Sequence, residues 1–132
     1  MKTILFVCVH NSGRSKMAEA IFNRMAKGKA RAISAGTDPG GSVNPVVVEV
    51  MKEIGIDMRG SKPQALTPEM LSQATHVVTM GCGAEGVCPA AFVETEDWGL
   101  EDPKDKPIEK VRQIRDQIEA RVAELLKKEI PS

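Results

Sequence analysis

The sequence predicts an α/β fold, a parallel sheet with helices on both faces, and three observations carry that reading. The chain opens on the continuous apolar run Ile4-Leu5-Phe6-Val7-Cys8-Val9, the pattern of a strand buried on both sides. Segments with apolar residues at helical spacing then alternate with short strand-like runs, the order of βαβ units in a doubly wound sheet. Two of the helical segments begin with a capping residue followed by proline, Asn44-Pro45 and Thr67-Pro68, the chemistry of a helix N-terminus.

Element by element, Thr3 to Cys8 reads as the first strand. Beyond the loop His10 to Arg14, the residues Met17, Ala18, Ile21, Phe22 and Met25 recur at helical spacing, and Gly28 stops the helix. Ala30 to Ala35 is a short second strand ending at Gly36, before the breaker-rich Thr37-Asp38-Pro39-Gly40-Gly41. The helix opened by Asn44-Pro45 has Val47, Val48, Met51 and Ile54 as its apolar face and ends at Gly55. A short helix follows from Thr67-Pro68 through Leu71, then a third strand from His76 to Met80 and a fourth within Phe92 to Trp98. The last helix spans about Pro107 to Lys128, with Val111, Ile114, Ile118, Val122 and Leu125 on one face. In open sheets of this kind a ligand binds at the carboxyl ends of the strands, where Cys8 stands.

At 132 residues the chain is expected to form one domain, residues 1–132, with a core that needs no disulfide staples. Lysine plus arginine equals aspartate plus glutamate at 18 each, so net charge gives no reason to expect nucleic acid or a membrane surface as partner. Anion affinity must come from a local site. The N-terminal apolar run is too short for a signal-peptide core, and nothing approaches the roughly 20 apolar residues of a bilayer span. The expected location is the cytoplasm and the default state a monomer. Three cysteines in a reducing compartment point to thiol chemistry or a metal rather than a structural disulfide framework.

The segment Cys8-Val9-His10-Asn11-Ser12-Gly13-Arg14-Ser15 joins a buried strand to a helix N-terminus. Backbone N–H groups at such a turn converge into an anion nest, aided by the positive end of the helix dipole. A thiol there is surrounded by donors, the setting that favours a thiolate. Arg14 offers a planar fork to two oxygens of a tetrahedral anion, Gly13 turns the backbone without a side chain in the way, and Ser12 or Ser15 can donate to the sulfur. The glycine spacing and lysine of a nucleotide-binding P-loop are absent. A strand-end cysteine alone would more often be an inert core residue; the arginine and the helix directly behind it favour function.

Cys-x5-Arg-Ser after the first strand, Ser34-Ala35-Gly36, and Asp102-Pro103 late in the chain together resemble the low-molecular-weight protein tyrosine phosphatase superfamily, over essentially the whole chain. The resemblance implies a four-stranded, flavodoxin-like parallel sheet. It also implies Cys8 as nucleophile, with Arg14 and Ser15 assisting and Val9, His10, Asn11, Ser12 and Gly13 lining the substrate. Asp102 would be the general acid, although Asp-Pro is also a common turn dipeptide. The superfamily holds two main chemistries, phosphotyrosine hydrolysis and arsenate reduction.

Two features favour the arsenate reductases of the thioredoxin-coupled type. Reducing arsenic from the +5 to the +3 state takes two electrons, which a dithiol supplies, and Cys82 and Cys88 are available. The resemblance implies that Cys82 attacks the Cys8–arsenic adduct and that a Cys82–Cys88 disulfide is finally reduced by thioredoxin. Glycines at 81, 83 and 86 lower the cost of the rearrangement such a relay requires. The chain also has no tyrosine, and Lys104-Asp105-Lys106-Pro107 follows Asp102-Pro103 where phosphotyrosine enzymes of this fold usually carry aromatic residues. Trp98 is expected in the core.

The Cys82–Cys88 interval is one residue shorter than in the best-known thioredoxin-coupled reductases, and Thr79-Met80-Gly81-Cys82-Gly83 resembles relatives that use a small thiol such as mycothiol. Either donor is compatible with the sequence, as is low-molecular-weight phosphatase activity. No cofactor and no bound metal is expected: a site from Cys82, Cys88 and His76 lacks a fourth ligand. The residues corresponding to a potassium site in some relatives are Asn11, Glu19, Ser34 and Gln64, with Gln64 in place of their aspartate. His10 is expected to face solvent, His76 to sit at a strand edge, and the charges from Lys110 to Arg121 to form no more than a solvated helix face.

Overall fold

The computed structural model describes residues 2–80 and 94–129. Its elements in chain order are β1 (Lys2–Cys8), α1 (Arg14–Ala26), β2 (Ala30–Gly36), α2 (Pro45–Lys52), α3 (Pro68–Gln73), β3 (His76–Thr79), β4 (Glu94–Asp97) and α4 (Ile108–Glu129). The strands form one sheet in the order β2-β1-β3-β4, and every pairing in it is parallel, as the alternating pattern predicts. Phe6 lies between Ser34 on one side and Val78 on the other. Because β2 and β3 flank β1 on opposite sides, the chain switches direction of winding at β1, and the crevice beyond its carboxyl end is the natural ligand position.

Alternation along β1 sorts the core into two layers. Ile4, Phe6 and Cys8 face a large cluster built with Met17, Ile21 and Phe22 of α1, Val47 and Met51 of α2, and Val111, Ile114, Ile118 and Val122 of α4. Leu5 and Val7 face a smaller layer with Ala35, Val77 and Ala74, against which Leu66, Met70 and Leu71 pack. Phe6 is fully buried with its ring 6.1 Å from that of Phe22 and 5.5 Å from that of Trp98. Trp98 is thus a core residue, as expected, and truncating Phe6 would cost about 3–5 kcal/mol.

Several boundaries and faces move. In α1 the inward position of the last turn is taken by Ala26, leaving Met25 exposed. In α2 the fully buried residues are Val47, Val50 and Met51, since i, i+3 and i+4 share a face, while Val48 and Ile54 of the expected face pack half-buried against the same cluster. β3 stops at Thr79 and α3 continues to Gln73. Thr67 Oγ1 accepts from Met70 N at 3.2 Å and Asn44 Oδ1 from Val46 N at 2.9 Å, so both helix starts read from the sequence are real caps.

His76 is not at an edge. β4 pairs on the far side of β3, the imidazole is 1 % exposed, and it lies between two carboxylates, Nε2 at 2.8 Å from Glu96 and Nδ1 at 3.4 Å from Glu129. Glu129 also takes Lys2 at 3.1 Å, tying the end of α4 to the start of β1. The charged face of α4 does more than meet solvent: Arg112 grips Glu53 through Nε and Nη2 at 3.0 and 2.7 Å, and Arg115 Nη1 reaches Glu53 at 2.9 Å and Val50 O at 2.8 Å. Among the described residues, no helix is long and apolar enough to cross a membrane.

Candidate active site

The loop from Cys8 to Arg14 is shaped from behind. Its carbonyls are bound by the segment after β2: Thr37 N donates to Cys8 O at 3.2 Å, Asp38 N to Val9 O at 2.8 Å, Gly40 N to His10 O at 2.9 Å and Asn44 N to Ser12 O at 2.8 Å. A trans peptide carries its C=O and N–H on opposite sides. Carbonyls turned outward therefore turn the N–H groups of Val9, His10, Asn11 and Gly13 toward the concave side. Asn11 N shows the result by donating to Cys8 Sγ at 3.2 Å.

The helix behind the loop contributes the remaining donors. The N-cap of α1 is Gly13, which has no side chain with which to cap, and the first turn carries no acidic residue. Its opening amides and the positive end of its dipole are left for an external anion.

Cys8 is 2 % exposed, with Sγ 2.9 Å from Ser15 Oγ. Ser15 Oγ already accepts from Asn11 Nδ2 at 2.7 Å, so its own proton is free for the sulfur. Two donors thus converge on the sulfur. Asn11 is the hub: it is fully buried, it holds φ 51°, a conformation asparagine tolerates better than most residues, and its Oδ1 accepts from Gln64 N at 2.9 Å.

Arg14 is buried at 6 % exposure and braced by Leu100 O, which accepts from Nη1 at 3.0 Å. Its Nη2 lies 3.7 Å from Asp102 Oδ2, and Asp102 Oδ1 accepts from Lys104 N at 3.0 Å. Asp102 is therefore in a turn and beside the thiol loop at once. The loop opens on a cleft of about 530 Å³ walled by His10, Ser12, Asn44, Asp102, Lys104 and Lys106 among others, and among the described residues no Phe, Tyr or Trp lines it. His10 is half-buried rather than simply solvated, its Nδ1 3.0 Å from Asp38 O.

The structure thus brings Cys8, Val9, His10, Asn11, Ser12, Gly13, Arg14, Ser15 and Asp102 to one place, while Cys82 and Cys88 lie outside the described residues. Among the described residues no three potential metal ligands gather. Sequence reasoning missed Gly36 as a site residue. A Cβ there would sit 2.6 Å from Val9 O and 3.0 Å from Asn11 N, so the loop rests directly on its backbone. The signal was present in Ser34-Ala35-Gly36, noted only as part of the resemblance. Gly13 matters for a different reason from the one expected: its φ is −147°, and the need is for space, since a Cβ would meet Pro103 Cγ at 2.7 Å.

A thiol set beneath inward-facing amides and an arginine fork is the apparatus of enzymes that attack tetrahedral oxyanions through cysteine. The chain belongs to the family described as low molecular weight phosphotyrosine protein phosphatase, which it matches over residues 3–131. It is 37% identical over 123 residues to an arsenate reductase of Brevibacillus brevis, covering 92% of this chain and 91% of that one. Its structure is similar to the thioredoxin-dependent arsenate reductase of Corynebacterium glutamicum, with TM-score 0.83 and 35% identity over 97% of this chain and 61% of that one. It is also similar to an arginine phosphatase of Geobacillus stearothermophilus, with TM-score 0.85 and 30% identity over 97% of this chain and 92% of that one.

Proposed function

We propose that the protein is a cytoplasmic, monomeric arsenate reductase that draws its electrons through Cys8, Cys82 and Cys88 from thioredoxin. The observation that carries the reading is the Cys8 loop itself, a thiol with two converging donors and an anion nest above it, in a chain whose full-length likeness extends to arsenate reductases. That no Phe, Tyr or Trp lines the cleft among the described residues supports an inorganic oxyanion over an aryl ester.

In this mechanism the Cys8 thiolate attacks arsenic, a sulfur–arsenic bond forms, and an oxygen leaves as water with a proton from Asp102. The loop amides and Arg14 hold the remaining oxygens. Cys82 as thiolate then attacks the Cys8 sulfur. The sulfur–arsenic bond breaks, its electron pair stays on arsenic, and arsenite departs, leaving a Cys8–Cys82 disulfide. Cys88 attacks Cys82 and frees Cys8, and the Cys82–Cys88 disulfide takes two electrons from thioredoxin.

A second reading, phosphomonoester hydrolysis, is favoured by two observations. The cleft is several times larger than an oxyanion, and the arginine phosphatase is as similar in fold as the reductase.

The test is arsenate-dependent NADPH oxidation with thioredoxin and its reductase, run beside a mycothiol-coupled system. Cys88→Ser is expected to abolish the thioredoxin-coupled turnover while sparing hydrolysis of a simple aryl phosphate. Unchanged arsenate turnover in that variant would sink the three-cysteine relay and favour a small-thiol donor. Hydrolysis without any arsenate turnover in the wild type would favour the phosphatase.

A further inference from the structure

Lys16 follows the thiol loop directly on α1 and is only 5 % exposed, an uncommon position for a lysine unless its charge is paired. Its Nζ stands 3.7 Å from Glu19 Oε1, one turn on along the same helix. The same carboxylate oxygen accepts from Ser34 Oγ of β2 at 2.8 Å. From Ser34 a continuous set of contacts leads to the thiol. Gln64 Nε2 donates to Ser34 O at 3.1 Å and Gln64 N to Asn11 Oδ1 at 2.9 Å. Asn11 Nδ2 donates to Ser15 Oγ at 2.7 Å, and Ser15 Oγ lies 2.9 Å from Cys8 Sγ.

Glu19 is the one carboxylate in this network and Lys16 the one cation. Without a positive charge beside it, the Glu19 carboxylate, only 23% exposed, would turn toward water, take up a proton or recruit an ion from solution. Each outcome loosens Ser34, and through Gln64 and Asn11 the donors that seat the sulfur. An ammonium tethered on the same helix avoids this at all salt compositions. The Gln64 amide also presents Nε2 to the Ser34 carbonyl, so a donor occupies a place where a dissolved cation would need an acceptor.

We propose that Lys16 is a positioning residue: its ammonium is the built-in counter-cation of Glu19, and it makes the Cys8 loop independent of dissolved monovalent cations. This holds for either chemistry at the site, because it concerns the seating of the thiol and the oxyanion.

The test uses a Cys82→Ser/Cys88→Ser parent, in which Cys8 is the one remaining thiol of three. Its alkylation by iodoacetamide is followed against pH, and its protection is titrated with inorganic phosphate. Buffers contain tetramethylammonium, sodium or potassium chloride at equal ionic strength. The parent is expected to behave alike in all three. Lys16→Met in tetramethylammonium should lose phosphate affinity roughly three- to thirtyfold and shift its alkylation profile to higher pH, and potassium should restore most of both. Lys16→Arg should keep the parent's behaviour. Lys16→Met/Glu19→Gln, which removes both charges, should again ignore the choice of cation. It provides a foldable comparison if the single variant is unstable. Potassium dependence of the parent overturns the proposal. So does a Lys16→Met variant that matches the parent or whose defect no cation relieves, or a double variant that responds to potassium. None of these readouts requires arsenate turnover, so their failure is separate from failure of the proposed reaction.

Discussion

Gly36 and the side chain of Asn11 act on Cys8 through the scaffold of its loop. Gly36→Ala places a methyl group 2.6 Å from Val9 O, closer than backbone atoms tolerate, and the loop must retreat. The expected cost is about 1–3 kcal/mol of stability from overpacking, with a loss of phosphate affinity larger than that stability loss explains, measurable by calorimetry beside urea unfolding. Asn11→Ala removes two hydrogen bonds, takes a partner from Gln64 N and from the buried Ser15 Oγ, and puts a residue less tolerant of φ 51° at the centre of the loop. A loss of roughly 1–3 kcal/mol and markedly slower alkylation of Cys8 are expected; a variant that alkylates at the wild-type rate would show that Ser15 alone suffices. Cys8, Arg14 and Ser15 were legible in the sequence because their chemistry is local, a thiol at a strand end and an arginine one loop later. Gly36 and the scaffold role of Asn11 were not, because they depend on two parallel strands 28 residues apart coming side by side, Cys8 against Gly36.

Between elements, the decisive contacts were the least visible from sequence. Strand and helix order followed from apolar period and caps, since each of those signals lives within a few residues. The pairing of α2 with α4 through Glu53 did not, because a charged helix face looks the same whether it meets water or a partner. Hydrogen bonds from Arg112, then from Arg115, hold the Glu53 carboxyl below its ordinary value of 4.5. A carboxyl depressed by folding contributes stability that is fully present above its unfolded value and disappears as pH falls through the lower folded one. Glu53→Gln should therefore unfold at lower urea than wild type at neutral pH, by a small and salt-sensitive margin, and the two proteins should converge in acid. A margin that persists after Glu53 is protonated would show that packing of α2, not charge, carries the effect. His76 makes the same point in the core: three residues of sequence context suggest an edge, and only β4 and the end of α4 reveal that it is enclosed between Glu96 and Glu129.

For the molecule as a whole, the proposed anion site is assembled at the switch point of the sheet from β1, α1, the segment after β2 and the turn before α4, and none of these makes it alone. The unfolded chain has no such nest, so an oxyanion that occupies it should stabilise the entire fold by mass action. At a phosphate or arsenate concentration 100 times its Kd, the gain is about 2.7 kcal/mol, which in a domain of this size raises the unfolding midpoint by on the order of 10 °C. The shift should be logarithmic in ligand concentration. It should be lost in Arg14→Lys, where a point charge replaces the fork braced by Leu100 O, and kept in Asp102→Asn, since the role proposed for that side chain is to move a proton and not to hold the anion. Differential scanning fluorimetry over a phosphate series separates these cases. An equal shift in Arg14→Lys would mean that the helix dipole and loop amides bind the anion unaided. A shift lost in Asp102→Asn would mean that the Arg14–Asp102 contact of 3.7 Å sets the arginine's position before any ligand arrives.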